Sequence, residues 1–330
     1  MVKRVFLTAL VGAGLLATVS RGEVPLGKNS QLHFASTTEA RKILTTRDDF
    51  IQRISQFDRS ARMKVDRSVT TEEFLAFVGN NVLDWTEQEE QNLQEIVGLF
   101  QPSLRELTLS FPPTVQLIKT TGDEEGNAAY TRGIAIILPK SILTKDKTTL
   151  QKILCHELFH VWSRQNPALR EKLYETIGFH HCQEVELPSQ LKERKITNPD
   201  APKNDHFIRL KIEKQECLAV PILLATGPYD VEKGGEFFDY LLFEFLIVRR
   251  SSDTNIVTVA EENGAFRLMK PQTASGFYEQ VGRNTNYILH PEEILADNFA
   301  LLVLGADKEK VPSPEVLRKV QGILTNGKSK

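Results

Sequence analysis

Between Ile153 and Trp162 the only carboxylate or basic side chain is Glu157, yet the same stretch holds two histidines, His156 and His160. Leu150, Ile153, Leu154 and Val161 recur at helical spacing, and Asn166-Pro167 ends the run, so Thr149 to Gln165 is expected to form a helix. Residues i and i+4 lie one turn apart on one face. A helix this apolar is buried, and its polar side chains must find partners inside the protein. This restricts the fold to one that delivers such partners to His156, Glu157 and His160.

Two imidazoles one turn apart can reach one ion at the roughly 2.0–2.1 Å that zinc prefers. Offset by one residue, Glu157 is free to hold and deprotonate a metal-bound water, whose pKa zinc lowers toward about 7. The spacing is that of an H-E-x-x-H motif. A third protein ligand is then needed. Ser163 and Asn166 stand where the longer H-E-x-x-H-x-x-G-x-x-H pattern has Gly and His, so that pattern is absent. His180, His181 and Glu184 follow closely but lie beside an expected turn. A downstream candidate is the run from His290 to Asp297, with Pro291 at a helix start. Glu293 and Asp297 are i and i+4 there. One could bind metal while the other holds a ligand imidazole through its free N–H.

H-E-x-x-H followed by Glu293-x-x-Ala296-Asp297 resembles the gluzincins, the thermolysin-like group of zinc metallopeptidases. The resemblance covers roughly residues 114–165 and 288–305. It implies a zincin-like core, Zn2+ held by His156, His160 and Glu293, Glu157 as general base, and Asp297 as the partner of a ligand histidine. It also implies a polypeptide substrate along a sheet edge, here Ile134 to Leu138. The chain departs from the group in placing 132 residues between His160 and Glu293. A donor to the tetrahedral intermediate is also required. Tyr287, His290, His206, Tyr278 and Tyr130 are candidates, with Tyr287 and His290 nearest Glu293 in sequence.

Lys3 and Arg4 precede an uncharged run, Val5 to Val19, and small residues follow to Gly22. This reads as a cleavable signal peptide, since a spanning helix wants about 20 apolar residues. Secretion or a periplasmic location is the expectation. The formal charge of −2 excludes a strongly basic nucleic-acid binder, and three Cys exclude a disulfide-built miniprotein. In an oxidising compartment Cys182 and Cys217 could pair, leaving Cys155 as a small buried hydrophobe.

The pattern along the chain predicts an α+β fold. Residues 1–22 are the signal peptide and 23–112 a helical region. Residues 113–204 hold the H-E-x-x-H helix, 205–275 form a β-rich insertion, and 276–330 a helical part carrying the third ligand. In the helical region, Thr86 with Glu89 forms a capping box and Pro102 is expected to break or kink the helix. Val115 to Lys119 and Ile134 to Leu138 read as two strands of a hairpin around an acidic loop. A second helix is expected over Ala168 to Thr176. The alternative to an exported metallopeptidase is a secreted zinc-binding protein without catalysis. Glu157 separates the two, because a purely structural zinc site has no need of it.

Overall fold

A computed structural model describes residues 23–212, 215–251, 255–262 and 264–325. The expected signal peptide, 1–22, lies outside the described residues. Among those described, no helix is long and apolar enough to cross a membrane.

The chain is α+β, with helices packed on two sheets. The first sheet contains β1 (Glu23–Pro25), β2 (Gln31–Phe34), β3 (Val82–Leu83), β4 (Thr114–Thr120), β5 (Tyr130–Arg132) and β6 (Ala135–Pro139). Its order is β1-β2-β4-β6-β5, with β3 paired to β4. The second contains β7 (Phe179–His181), β8 (His206–Ile212), β9 (Gln215–Ala225), β10 (Leu241–Arg250) and β11 (Val257–Val259), in the order β11-β10-β9-β8-β7. It therefore begins at Phe179, ahead of the expected insertion.

Two strand expectations are corrected. β4 and β6 pair in parallel, Leu117 opposite Ile136, so they are not a hairpin. The hairpin is β5–β6, turned at Gly133 with a positive φ of 59° that favours a residue without Cβ. Nor is the Ile134–Leu138 segment a sheet edge. β6 lies between β4 and β5, and all five of its residues are buried. The period of two explains this: Ile136 and Leu138 enter one core, Ala135 and Ile137 another. A strand with two apolar faces needs cover on both sides and belongs inside a sheet. The edge is β5.

The helices are α1 (Thr37–Leu44), α2 (Asp49–Arg53), α3 (Gln56–Arg62), α4 (Thr71–Asn80) and α5 (Glu87–Glu106), followed by α6 (Lys147–Gln165) and α7 (Pro167–Thr176). After them come α8 (Ser189–Lys192), α9 (Phe277–Val281), α10 (Pro291–Val303) and α11 (Pro314–Thr325). The Thr86–Glu89 capping box forms as expected. α5 runs through Pro102 to Glu106, because Leu93, Ile96, Val97, Phe100 and Leu104 keep one face buried on either side of the proline. The 23–112 stretch is mostly helical, but its first strands join the same sheet as β6. α5 and α6 contribute to the core on one face of this sheet, and Phe50, Ile51, Phe74 and Val78 of α2 and α4 to the core on the other. Leu158 and Phe159 of α6 share a core with Ile294, Leu295 and Phe299 of α10, the Phe159 and Phe299 rings lying 5.5 Å apart. All three cysteines are free, so Cys182 and Cys217 do not pair; Cys182 is sealed in a core of its own sheet.

Candidate metal centre

α6 starts at Asp146, whose carboxylate accepts from Thr149 N–H at 3.0 Å, and runs to Gln165. α10 starts at His290, whose Nδ1 accepts from Glu292 N–H at 3.1 Å. The core between these helices sets His156 and His160 against Glu292, Glu293 and Asp297. His156, His160 and Glu293 each offer one ligand atom, all within 4.8 Å of one another. His156 Nε2 is 3.0 Å from Glu293 Oε2, and His160 Nε2 is 3.5 Å from the same oxygen. Tetrahedral zinc with bonds near 2.0–2.1 Å separates its ligand atoms by about 3.4 Å, so these spacings suit such an ion.

The other ring nitrogens fix the tautomers. His156 Nδ1 is 3.1 Å from Asp297 Oδ1, and His160 Nδ1 is 3.0 Å from Glu292 Oε1. Neither carboxylate has a proton to give when ionised, so each Nδ1–H donates and each Nε2 is left facing Glu293, as a lone pair where a cation takes the place of the ring proton. His160 Nε2 is fully buried and has no hydrogen-bond partner. Two ring nitrogens and a carboxylate oxygen converge there, and a cation would satisfy all three, including the unpartnered His160 Nε2. Two nitrogens and one oxygen form a ligand set that zinc accepts. Without a cation the carboxylates draw protons onto the rings. Burial disfavours the charged form of His156, but hydrogen bonds to Asp297 and Glu293 outweigh it and raise its pKa to about 9. Burial pushes against ionisation of Asp297 too, yet the His156 hydrogen bond and charge bring it down to about 2.

Glu157 is buried, and its Oε2 has no hydrogen-bond partner. Burial, then the neighbouring Asp200 charge, raises its pKa to about 8. Glu157, His160 and Asp200 also bring ligand-type atoms within 4.8 Å of one another.

Several residues at this centre were not singled out in the sequence. Glu292 accepts from His160, from Ser163 Oγ and from the Tyr174 hydroxyl. Asn198 Nδ2 donates to Glu293 Oε1 at 2.6 Å. Asp200 accepts from Thr131 N–H on β5 at 2.7 Å. Asn198-Pro199-Asp200 lies in a polar, proline-punctuated stretch, so no periodicity exposes it. Glu292 carried one signal, its place between His290 and Glu293 at a helix start.

The remaining candidates are scattered. Tyr287 is 40% exposed, with its ring 6.1 Å from that of His156. His290 caps α10, its ring near Tyr174 and His206. Burial, then the charge of His206, lowers its pKa to about 4. His206 is held between Asp205 and Glu171. Tyr130 reaches Glu124, and Tyr278 packs on Phe277 and Arg283. His180 lies against Phe207, His181 is exposed beside His206, and Glu184 accepts from Arg53. None of these last three belongs to the His156–His160–Glu293 group.

No protein-family model matches the chain, and no curated protein or solved structure is significantly similar to it.

Proposed function

We propose that this chain is an exported zinc-dependent metallopeptidase with a zincin-like core related in plan to the gluzincins. The observation that carries the reading is the convergence of His156 Nε2, His160 Nε2 and Glu293 Oε2, with the rings fixed from behind by Asp297 and Glu292. Export rests on the charged and apolar pattern of residues 3–22. A bound zinc ion would supply a Lewis acid and bring the pKa of a coordinated water down toward about 7.

The protein's own groups do the rest. Glu157, one residue past the first ligand, is buried with its Oε2 unpartnered, and a cation held beside it would favour its ionised form. It takes a proton from water and returns it to the leaving amine. Asp297 and Glu292 keep both imidazoles oriented and their Nε2 atoms free. Tyr287, beside His156 and partly exposed, is the hydroxyl donor best placed to face the oxyanion. A polypeptide substrate would not run along β6, which lies inside the sheet.

The test has two parts. Protein purified without chelators should carry about one zinc per chain. Glu157→Gln should keep that zinc and lose roughly 100-fold or more of its peptide hydrolysis, because an amide cannot take the proton. A metal-free protein, or a Glu157→Gln variant as active as its parent, would overturn the reading.

A further inference from the structure

Arg164 follows His156 and His160 at i+8 and i+4, so all three lie on one face of α6. Its guanidinium donates only to neutral oxygens: Gly133 O at 2.7 Å, Thr131 Oγ1 at 2.9 Å and Asp200 O at 3.2 Å. Among the described residues its Nε–H has no partner. Arg164 borders a cavity of about 220 Å³ that also touches Gly133, Ser163 and Asp200, next to the metal centre and the end of β5. The acids on the cavity wall are already engaged. Asp48 holds Arg132, Asp49 holds Arg53 and Lys203, and Asp205 holds His206. Glu292 holds His160, and Asp200 accepts from Thr131. Arg132 and Lys203 are thereby paired, while among the described residues Arg164 forms no direct ion pair, the Asp200 carboxylate sharing the Thr131 hydroxyl with it and offsetting only part of its charge.

We propose that this cavity is a carboxylate-binding subsite built on Arg164, so that the peptide substrate carries a carboxylate about two residues from the bond that is cut. The inference rests on the metallopeptidase reading. The distance follows from geometry. Four residues of helix rise about 6 Å from His160 to Arg164, and extended peptide advances about 3.3 Å per residue. A planar guanidinium with donors to spare suits a carboxylate better than a neutral amide. The group could be the peptide's own C-terminus or an Asp or Glu side chain.

The experiment measures binding of N-acetyl-dialanine and of its C-terminal amide to the zinc-loaded and zinc-free protein by calorimetry. The free acid should bind about 10-fold more tightly than the amide, the value of one charge-assisted hydrogen bond. That ratio should fall close to one in Arg164→Gln and be partly kept in Arg164→Lys. A merely structural Arg164 would weaken both ligands together and leave the ratio intact. An amide-capped N-acetyl-Ala-Glu assigns the source. Tight binding means that a side-chain carboxylate is accepted, and weak binding beside a tight free acid means that a C-terminus is required. Equal affinity for acid and amide in the unmodified protein, no binding of either, or a ratio that survives Arg164→Gln overturns the proposal. Cleavage of longer peptides separates the two levels. Cleavage without any preference for a carboxylate removes the subsite and leaves the peptidase, whereas acid-selective binding with no cleavage removes the peptidase reading.

Discussion

Glu292 and Glu293 are neighbours of equal charge with different work at the centre, and substituting each in turn separates the two roles. Glu293 Oε2 faces both Nε2 atoms, whereas Glu292 Oε1 sits behind His160 at Nδ1. Zinc in four-ligand peptide sites is worth roughly 10–16 kcal/mol, or about 2.5–4 kcal/mol per ligand. Glu293→Ala removes a ligand and should weaken zinc binding by about 100-fold or more. Glu292→Ala removes an orienting partner, for which about 10- to 100-fold is usual, or roughly 1.4–2.7 kcal/mol. Glu292→Gln keeps an acceptor for His160 N–H and loses only the charge, so it should fall at the low end of that range. Glu292→Ala also leaves the buried Tyr174 hydroxyl without its partner, costing about 1–3 kcal/mol of zinc-free stability, while Ser163 Oγ keeps the His160 carbonyl. The assay is competition for zinc against a chromophoric chelator, with circular dichroism of the zinc-free proteins to establish that each is folded. If Glu292→Ala binds zinc as well as the unmodified protein, Glu292 does not orient His160. If Glu293→Ala binds as well as Glu292→Ala, Glu293 is not a ligand.

Zinc added at about 100 times its Kd should stabilise the unmodified protein by about 2.7 kcal/mol, seen as a higher Tm, and should leave Glu293→Ala nearly unmoved. A Tm that ignores both zinc and chelator counts against the centre. Buried His290 has a folded pKa of about 4 against 6.5 for the free ring, so the unfolded chain takes up its proton first as pH falls. Its contribution is present above pH 6.5 and is lost between 6.5 and 4, about 3 kcal/mol in all. His290→Asn keeps an acceptor for Glu292 N–H and should flatten that acid loss in urea titrations of zinc-free protein; an unchanged slope refutes the assignment. Arg62 is fully buried against Asp58 and Glu125, and its guanidinium lies 4.0 Å from the Phe237 ring. Arg62→Ala should cost about 3–5 kcal/mol in urea unfolding, since two carboxylates stay buried without their cation, and a loss under about 1 kcal/mol would show that they find another partner.

The sequence alone determined the parts of this protein that depend on local periodicity. His156 and His160 share a helix face because one turn separates them, and the same spacing puts Glu293 and Asp297 together on α10. The Thr86–Glu89 cap and the apolar face of α5 follow from side chains three or four residues apart. The α+β class follows from the change of period after Pro113. What only the tertiary structure decided depends on which distant segments meet. β6 is apolar on both faces, but nothing local says that the three residues Tyr130–Arg132 form the strand on its outer side. Asn198 and Asp200 have no periodicity to betray them, because a loop residue reaches the centre by where its anchors place it. Glu292 and Glu293 are equivalent by composition. Adjacent residues on a helix point about 100° apart, so the packing of α10 on α6 determines that one faces the two Nε2 atoms and the other stands behind His160.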